Sequence, residues 1–114
     1  MVIGNDVNRW NIPPSLELEV VARDGTCVYC RVDFSKLSAV RGEKPSWEHI
    51  VNDARIITAQ NIARCCMSCN ASKGVKELSA WLASNYCQRK GISTASIAQV
   101  VRDALAVRPI HADA

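Results

Sequence analysis

The clearest hydrophobic pattern lies in the last third of the chain. In the run VKELSAWLASNYCQRKG, apolar side chains recur at i, i+3, i+4 and i+8, which is one face of an amphipathic helix. These positions are Leu78, Trp81, Leu82 and Tyr86. A second apolar stripe begins at Ile97, and Ser96 and Gln99 beside its first residues have the spacing of a capping box. We predict two helices, at about 76–90 and 94–107, which pack these stripes into the core.

The first two thirds of the chain show shorter patterns. Residues 16–24 fit both a strand and a helix face, and their Glu and Arg content favours a helix that Gly25 ends. Two short strands are predicted at 46–51 and 61–66, and a short helix follows them at 67–74. This order of elements predicts a small α+β domain.

Length and charge restrict the function only weakly. The 114 residues fit one small domain, and a net charge of +3 is too small to identify a partner. The sequence has no signal-peptide pattern and no apolar run as long as a membrane span. We therefore expect a cytoplasmic protein, without membrane association, whose thiols stay reduced. His111, near the C-terminus, is given no role.

Four of the six cysteines form two C-x2-C pairs. The first pair is Cys27 and Cys30, and the second is Cys66 and Cys69. Each spacing allows two thiolates of one turn to bind the same ion, and two such turns complete a tetrahedral zinc site. Because four thiolates close the coordination shell, this zinc is expected to stabilise the fold and not to take part in catalysis.

Other roles for the cysteines stay open. Cys65 could replace Cys66 as a ligand, although the C-x2-C spacing of the first pair favours Cys66. A redox dithiol is a weaker alternative, because such motifs normally sit in a βαβ context that this sequence lacks. Cys87 falls on a predicted helix and is expected to be a buried free thiol.

Between and beside the two cysteine pairs lie four residues suited to phosphodiester hydrolysis: Glu48, His49, Asn61 and Asn70. A neutral histidine can take a proton from water near neutral pH. A carboxylate and an amide oxygen suit a hard divalent ion such as Mg2+ or Mn2+, which offsets charge on the scissile phosphate. A zinc that closes the intervening segment would bring these residues near one another.

The segments RDGTCVYC, WEHIVND and NIARCCMSCNASKG together resemble an HNH endonuclease. That family is a group of ββα-metal (His-Me finger) nucleases, some with paired zinc knuckles, and the resemblance covers about residues 20–76. It implies that His49 is the general base and that Asn61 braces the turn between the strands. It also implies that Asn70, in place of the final histidine of the motif, binds the catalytic divalent ion together with Glu48.

The implied activity is metal-dependent cleavage of DNA. Lys73 and Arg64 lie in a segment with basic and no acidic residues, and are the candidate contacts to DNA phosphates. Glu48 stands where the family commonly has Asp, and Asp53 could also reach the ion. These departures keep a second hypothesis open, a non-catalytic zinc module that binds nucleic acid or protein. The sequence leaves the oligomeric state undetermined.

Overall fold

The fold was analysed in a computed structural model that describes residues 10–36 and 38–107. The described part contains a two-stranded sheet and five α-helices, so the predicted α+β class is confirmed. The elements are α1 (Pro14–Arg23), β1 (Pro45–His49), β2 (Ile62–Cys66), α2 (Met67–Lys73), α3 (Leu78–Leu82), α4 (Asn85–Lys90) and α5 (Gln99–Ala106). A short 3₁₀ turn, Arg41–Glu43, precedes β1.

Strand β1 pairs antiparallel with β2, and α2 begins where β2 ends. The register runs from Pro45 opposite Cys66 to His49 opposite Ile62. Cys66 has an extended backbone, and its sulphur accepts a hydrogen bond from the amide of Cys69, which caps the first turn of α2. The order strand, strand, helix agrees with the sequence prediction and places the end of β1 beside α2.

Helix α1 settles the ambiguity over residues 16–24 in favour of a helix. Proline occupies its first turn, where a missing N–H costs nothing, and Arg23 lies in its last turn. The guanidinium of Arg23 donates to Asp24 and to the carbonyl oxygen of Ile62. Asp24 in turn accepts a hydrogen bond from the amide of Arg64. These contacts fasten the end of α1 to β2.

The single helix predicted at about 76–90 is wrong, because the chain forms α3 and α4 with a break between them. The amides of Ala83 and Ser84 bond to carbonyls three residues back, which closes α3. The hydroxyl of Ser84 then accepts from the amide of Cys87 and caps a new helix. The apolar spacing continues through the break, so periodicity alone did not reveal it.

Helix α5 begins at Gln99, later than the predicted start near residue 94. Ala98 precedes it and makes no side-chain cap, so the predicted capping box is wrong. The Ser96 hydroxyl instead donates to the carbonyl oxygens of Gly91 and Ser93, within the preceding turn. His111, to which the sequence assigned no role, lies outside the residues that the structure describes.

The core has two parts. The larger surrounds Trp81, which is fully buried, and includes Tyr29 and the cysteines. The smaller is formed by Ile12, Val20 and Ile62 with partly buried neighbours that include Trp47. None of the helices within 10–36 and 38–107 is both long and apolar enough to cross a membrane.

Candidate functional site

The four cysteines of the two C-x2-C pairs meet in one cluster. Their sulphur atoms all lie within 4.8 Å of one another, and the Cys30 and Cys66 sulphurs are 3.7 Å apart. Four sulphurs placed about 2.3 Å from a central zinc are separated by about 3.8 Å. The cluster therefore fits a tetrahedral metal such as zinc, with Cys27, Cys30, Cys66 and Cys69 as ligands.

Hydrogen bonds to the sulphurs favour thiolates in this cluster. The amides of Tyr29 and Cys30 each donate to the Cys27 sulphur at 3.4 Å, and the hydroxyl of Tyr86 donates to the Cys69 sulphur at 3.3 Å. Among the sulphurs themselves, hydrogen bonding by Cys27 is the first cause that lowers the pKa of Cys30, and it is also the first cause that raises the pKa of Cys66 and of Cys69. Such outer contacts orient metal ligands and stabilise their charge.

The remaining two cysteines stay outside the cluster. Cys65 lies on β2 next to Cys66, so the alternation of the strand separates their side chains, and its sulphur is 3.8 Å from the Ser46 hydroxyl. Burial is the main cause that raises the pKa of the Cys65 thiol. Cys87 is also a buried free thiol, as predicted. The alternative ligand set with Cys65 is therefore not the one that forms.

Three of the four residues predicted for catalysis line one cavity beside α2. The cavity has a volume of about 200 Å³, and it is lined by Glu48, His49 and Asn70. Its other lining residues are Trp10, Trp47, Asn52, Gly74 and Val75. The end of β1 supplies Glu48 and His49, and α2 supplies Asn70, so the antiparallel pair followed by a helix forms the site.

The imidazole of His49 is largely buried. It is 8% exposed, its ring packs edge-on against Trp10 at 5.0 Å, and its Nε2 is buried. Among the described residues, none forms a hydrogen bond with its imidazole. Burial lowers the pKa of His49 below its usual value, against the opposing charge of Glu48. The ring is therefore neutral at pH 7.

Glu48 is held by two donors at the same oxygen. Its Oε2 accepts from the Tyr29 hydroxyl at 2.6 Å and from the Lys73 ammonium at 2.9 Å. The ammonium also donates to the His49 carbonyl oxygen at 3.3 Å. Burial is the first cause that raises the pKa of Tyr29 well above its ordinary value, so the hydroxyl keeps its proton. Because Tyr29 and Lys73 both contact Oε2, Oε1 of Glu48 accepts no hydrogen bond among the described contacts.

Lys73 differs from its predicted role. The sequence predicts that it contacts a DNA phosphate, yet its side chain is 1% exposed and its ammonium pairs with Glu48. The physical reason is its position at the end of α2, where a long stem reaches past the helix to a buried carboxylate. Gly74 follows with a positive φ of 52°, and it ends the helix as predicted.

Asn70 presents an amide oxygen at the cavity. Its Nδ2 donates to the Ser46 hydroxyl at 2.9 Å and to the Trp47 carbonyl oxygen at 3.0 Å. These bonds tie α2 to β1 and fix the amide group. Within the described part of the chain, no donor occupies its Oδ1, so that oxygen is available to a hard cation.

Asn61 does not line this cavity. Its Oδ1 accepts from the Val51 amide at 2.7 Å, while its Nδ2 donates to the carbonyl oxygens of Val51 and Ile56. The side chain thus links the residue before β2 to the loop that leaves β1. These three hydrogen bonds hold the loop that follows β1 against the start of β2.

Two other charged candidates are occupied elsewhere. Asp53 is bound by the Arg55 guanidinium at 3.0 and 2.9 Å, and these hydrogen bonds lower the pKa of Asp53 to about 2. The Arg64 guanidinium lies 5.6 Å from the ring centres of Phe34 and of Trp47. Asp53 does not line the cavity, so it is not placed to hold an ion there. Arg64 also lies outside the cavity, and its contact with a DNA phosphate stays a prediction.

Tyr29 is the site residue that sequence reasoning did not identify. It lies between the two cysteines of the first C-x2-C pair, and the sequence pattern assigned it no role. One sequence feature could have indicated Tyr29: an aromatic hydroxyl within a segment that the predicted zinc would hold rigid. A buried tyrosine hydroxyl needs a hydrogen-bond partner, and Glu48 provides one.

Comparisons with known proteins identified no relative of this chain. No protein-family model matches the chain, no curated protein matches its sequence, and no solved structure matches its fold. The geometry of the cavity and of the cysteine cluster is therefore the basis on which a function can be inferred.

Proposed function

We propose that this protein is a metal-dependent endonuclease that hydrolyses phosphodiester bonds of DNA. One observation carries the proposal: His49, Glu48 and Asn70 line the same cavity of about 200 Å³, at the junction of β1 and α2. A neutral imidazole, a carboxylate and an amide oxygen are the groups that divalent-ion hydrolysis of a phosphodiester requires. The arrangement supports a ββα-metal site of the HNH type.

Each residue has a defined task in this mechanism. The imidazole of His49 accepts the proton of the attacking water, because burial keeps the ring neutral. Oε1 of Glu48 and Oδ1 of Asn70 would hold a divalent ion, Mg2+ or Mn2+, since hard cations prefer oxygen ligands. That ion supplies charge neutralisation at the scissile phosphate. Asn61 keeps the loop after β1 in place through three hydrogen bonds.

The cysteine cluster contributes rigidity to this site. A zinc held by four thiolates has no open coordination position. Its role would be to fasten the turn from Cys27 to Cys30, called the first knuckle below, to the start of α2. That helix carries Asn70 and Lys73 towards the end of β1. Binding of DNA is expected to be weak and sensitive to salt, because the net charge is only +3 and Lys73 is used internally.

The test is nicking of supercoiled plasmid DNA by the zinc-loaded chain with Mg2+ or Mn2+. His49→Ala is expected to lower the nicking rate by about 10²- to 10⁴-fold, the usual contribution of general base catalysis. The matched control is His111→Ala, which removes the only other histidine of the chain and should nick at the parental rate. Equal rates for the parent and His49→Ala would overturn the proposed mechanism.

A second candidate function is a non-catalytic zinc module that binds nucleic acid or protein. The ion pair between Lys73 and Glu48 favours it, because an ammonium already neutralises the carboxylate that would bind the ion. Titration with Mn2+ followed by NMR separates the two functions. Selective broadening of the Glu48 and Asn70 signals supports the nuclease, whereas unchanged signals support the non-catalytic module.

A further inference from the structure

We propose that Tyr29 is a positioning residue that couples the cysteine cluster to Glu48, so that zinc and the catalytic divalent ion bind cooperatively. This inference rests on the proposed function, because it concerns the ion held by Glu48 and Asn70. It links the zinc site to the divalent-ion site, and the proposed mechanism does not require such a link. The structural basis is a single residue, Tyr29, whose backbone amide contacts the cysteine cluster and whose side chain contacts Glu48.

Tyr29 is fixed at both of its ends. Its backbone amide donates to the sulphur of Cys27 at 3.4 Å, and its hydroxyl donates to Oε2 of Glu48 at 2.6 Å. Its ring is fully buried and packs edge-on against Trp81 at 4.8 Å. A displacement of the first knuckle therefore moves the hydroxyl, since the ring has no free space in which to compensate.

The contact decides which oxygen of Glu48 is left for a ligand. Tyr29 and Lys73 both donate to Oε2, so the carboxylate is held in one orientation with Oε1 unoccupied among the described contacts. Hydrogen bonds to ligating carboxylates orient them, and their loss typically weakens metal binding by 10- to 100-fold, as a rough range. Glu48 should therefore bind an ion best when the knuckle is in place.

Zinc is what keeps the knuckle in place. The sulphurs of Cys27 and Cys30 lie within 4.8 Å of those of Cys66 and Cys69, and a shared cation relieves the repulsion of adjacent thiolates without protonating them. If zinc strengthens binding of the divalent ion through Tyr29, thermodynamic reciprocity requires the divalent ion to strengthen binding of zinc by the same factor. This reciprocal effect can be measured without any nuclease assay.

The experiment measures zinc affinity by equilibrium competition with a zinc-selective fluorescent chelator, with and without saturating Mn2+. Parent protein is expected to bind zinc at least about fivefold more tightly with Mn2+, the lower end of typical coupling between sites. In Tyr29→Phe the ring and its packing remain, and this ratio should fall to one. Direct Mn2+ titration by electron paramagnetic resonance should show roughly 10- to 100-fold weaker binding in that variant.

The matched control is Tyr86→Phe. Its hydroxyl also contacts the cluster, at the Cys69 sulphur, but it makes no contact with Glu48. This variant should shift the zinc affinity itself and keep the parental Mn2+ ratio. A parental ratio of one overturns the coupling even if Tyr29→Phe does not fold, because the parent alone provides that measurement.

Two negative results have different meanings. If the parent binds Mn2+ and nicks DNA, yet Tyr29→Phe keeps the parental ratio, only the coupling through Tyr29 is overturned. If the parent binds no Mn2+ at Glu48 and Asn70, the coupling and the proposed function fail together.

Discussion

Removal of the Lys73 charge tests the buried ion pair that holds Glu48 at the cavity. Lys73 is 1% exposed, Glu48 is 6% exposed, and their charged groups lie 2.9 Å apart. The substitution Lys73→Met keeps the apolar stem but leaves the Glu48 carboxylate buried without its cation. Breaking a buried pair in this way typically costs about 3–5 kcal/mol. The Tyr29 hydroxyl still donates to the same oxygen, which places the expected loss near the lower end, at about 3 kcal/mol.

A double-mutant cycle separates the energy of the Lys73–Glu48 ion pair from the energy lost with packing. Glu48→Gln alone leaves the ammonium buried and is expected to cost a similar amount, whereas Glu48→Gln with Lys73→Met leaves no buried charge. The double variant should therefore be more stable than either single variant. A domain of this size is expected to have roughly 5–15 kcal/mol of stability in total, so each single variant should still fold.

The assay is urea unfolding followed by tryptophan fluorescence, with zinc in constant excess and no other divalent ion. Constant zinc is needed because metal binding contributes to the measured free energy of unfolding. The reasoning is refuted if Lys73→Met loses less than about 1 kcal/mol, the level typical of an exposed ion pair. Strict additivity of the two single variants would refute it equally, because it would show that the two charges do not interact.

Two further predictions concern the loop and the metal. Asn61→Ala removes the partner of the Val51 amide and two further hydrogen bonds, so the free energy of unfolding should fall by about 1–3 kcal/mol in the same urea assay. Gln60→Ala, at the neighbouring exposed position, is the control and should change it by less than about 0.5 kcal/mol. Removal of zinc by a strong chelator should abolish the near-ultraviolet circular dichroism of buried Trp81, since structural zinc contributes on the order of 10 kcal/mol. Full retention of that signal in a zinc-free sample would contradict a structural role.

Local patterns predicted several elements well. The helix over residues 16–24, the strand that ends at Cys66 and the short helix closed by Gly74 all formed within one or two residues of the prediction. The C-terminal helices were less accurate, because the apolar spacing runs across the break at Ser84 without change. A side-chain cap decides that break, and helix periodicity carries no information about it.

The candidate site was predicted as a set of residues, and its internal contacts were not. The order of Glu48, His49 and Asn70 around two cysteine pairs was enough to expect them near one another. That Lys73 faces Glu48 instead of solvent was not foreseeable, since a lysine stem is long and its charge goes to the nearest acceptor that folding provides.

The sequence by itself determined the two C-x2-C pairs, because that spacing brings two sulphurs together within a single turn. That the two pairs meet in one four-cysteine cluster was decided by the fold. Only the tertiary structure decided which groups satisfy the buried charge of Glu48. Tyr29 and Lys73 lie 19 and 25 positions away along the chain, and no local pattern links them to it. Such partners are chosen when packing removes water from all three side chains, so that the carboxylate must be satisfied by the donors that remain beside it.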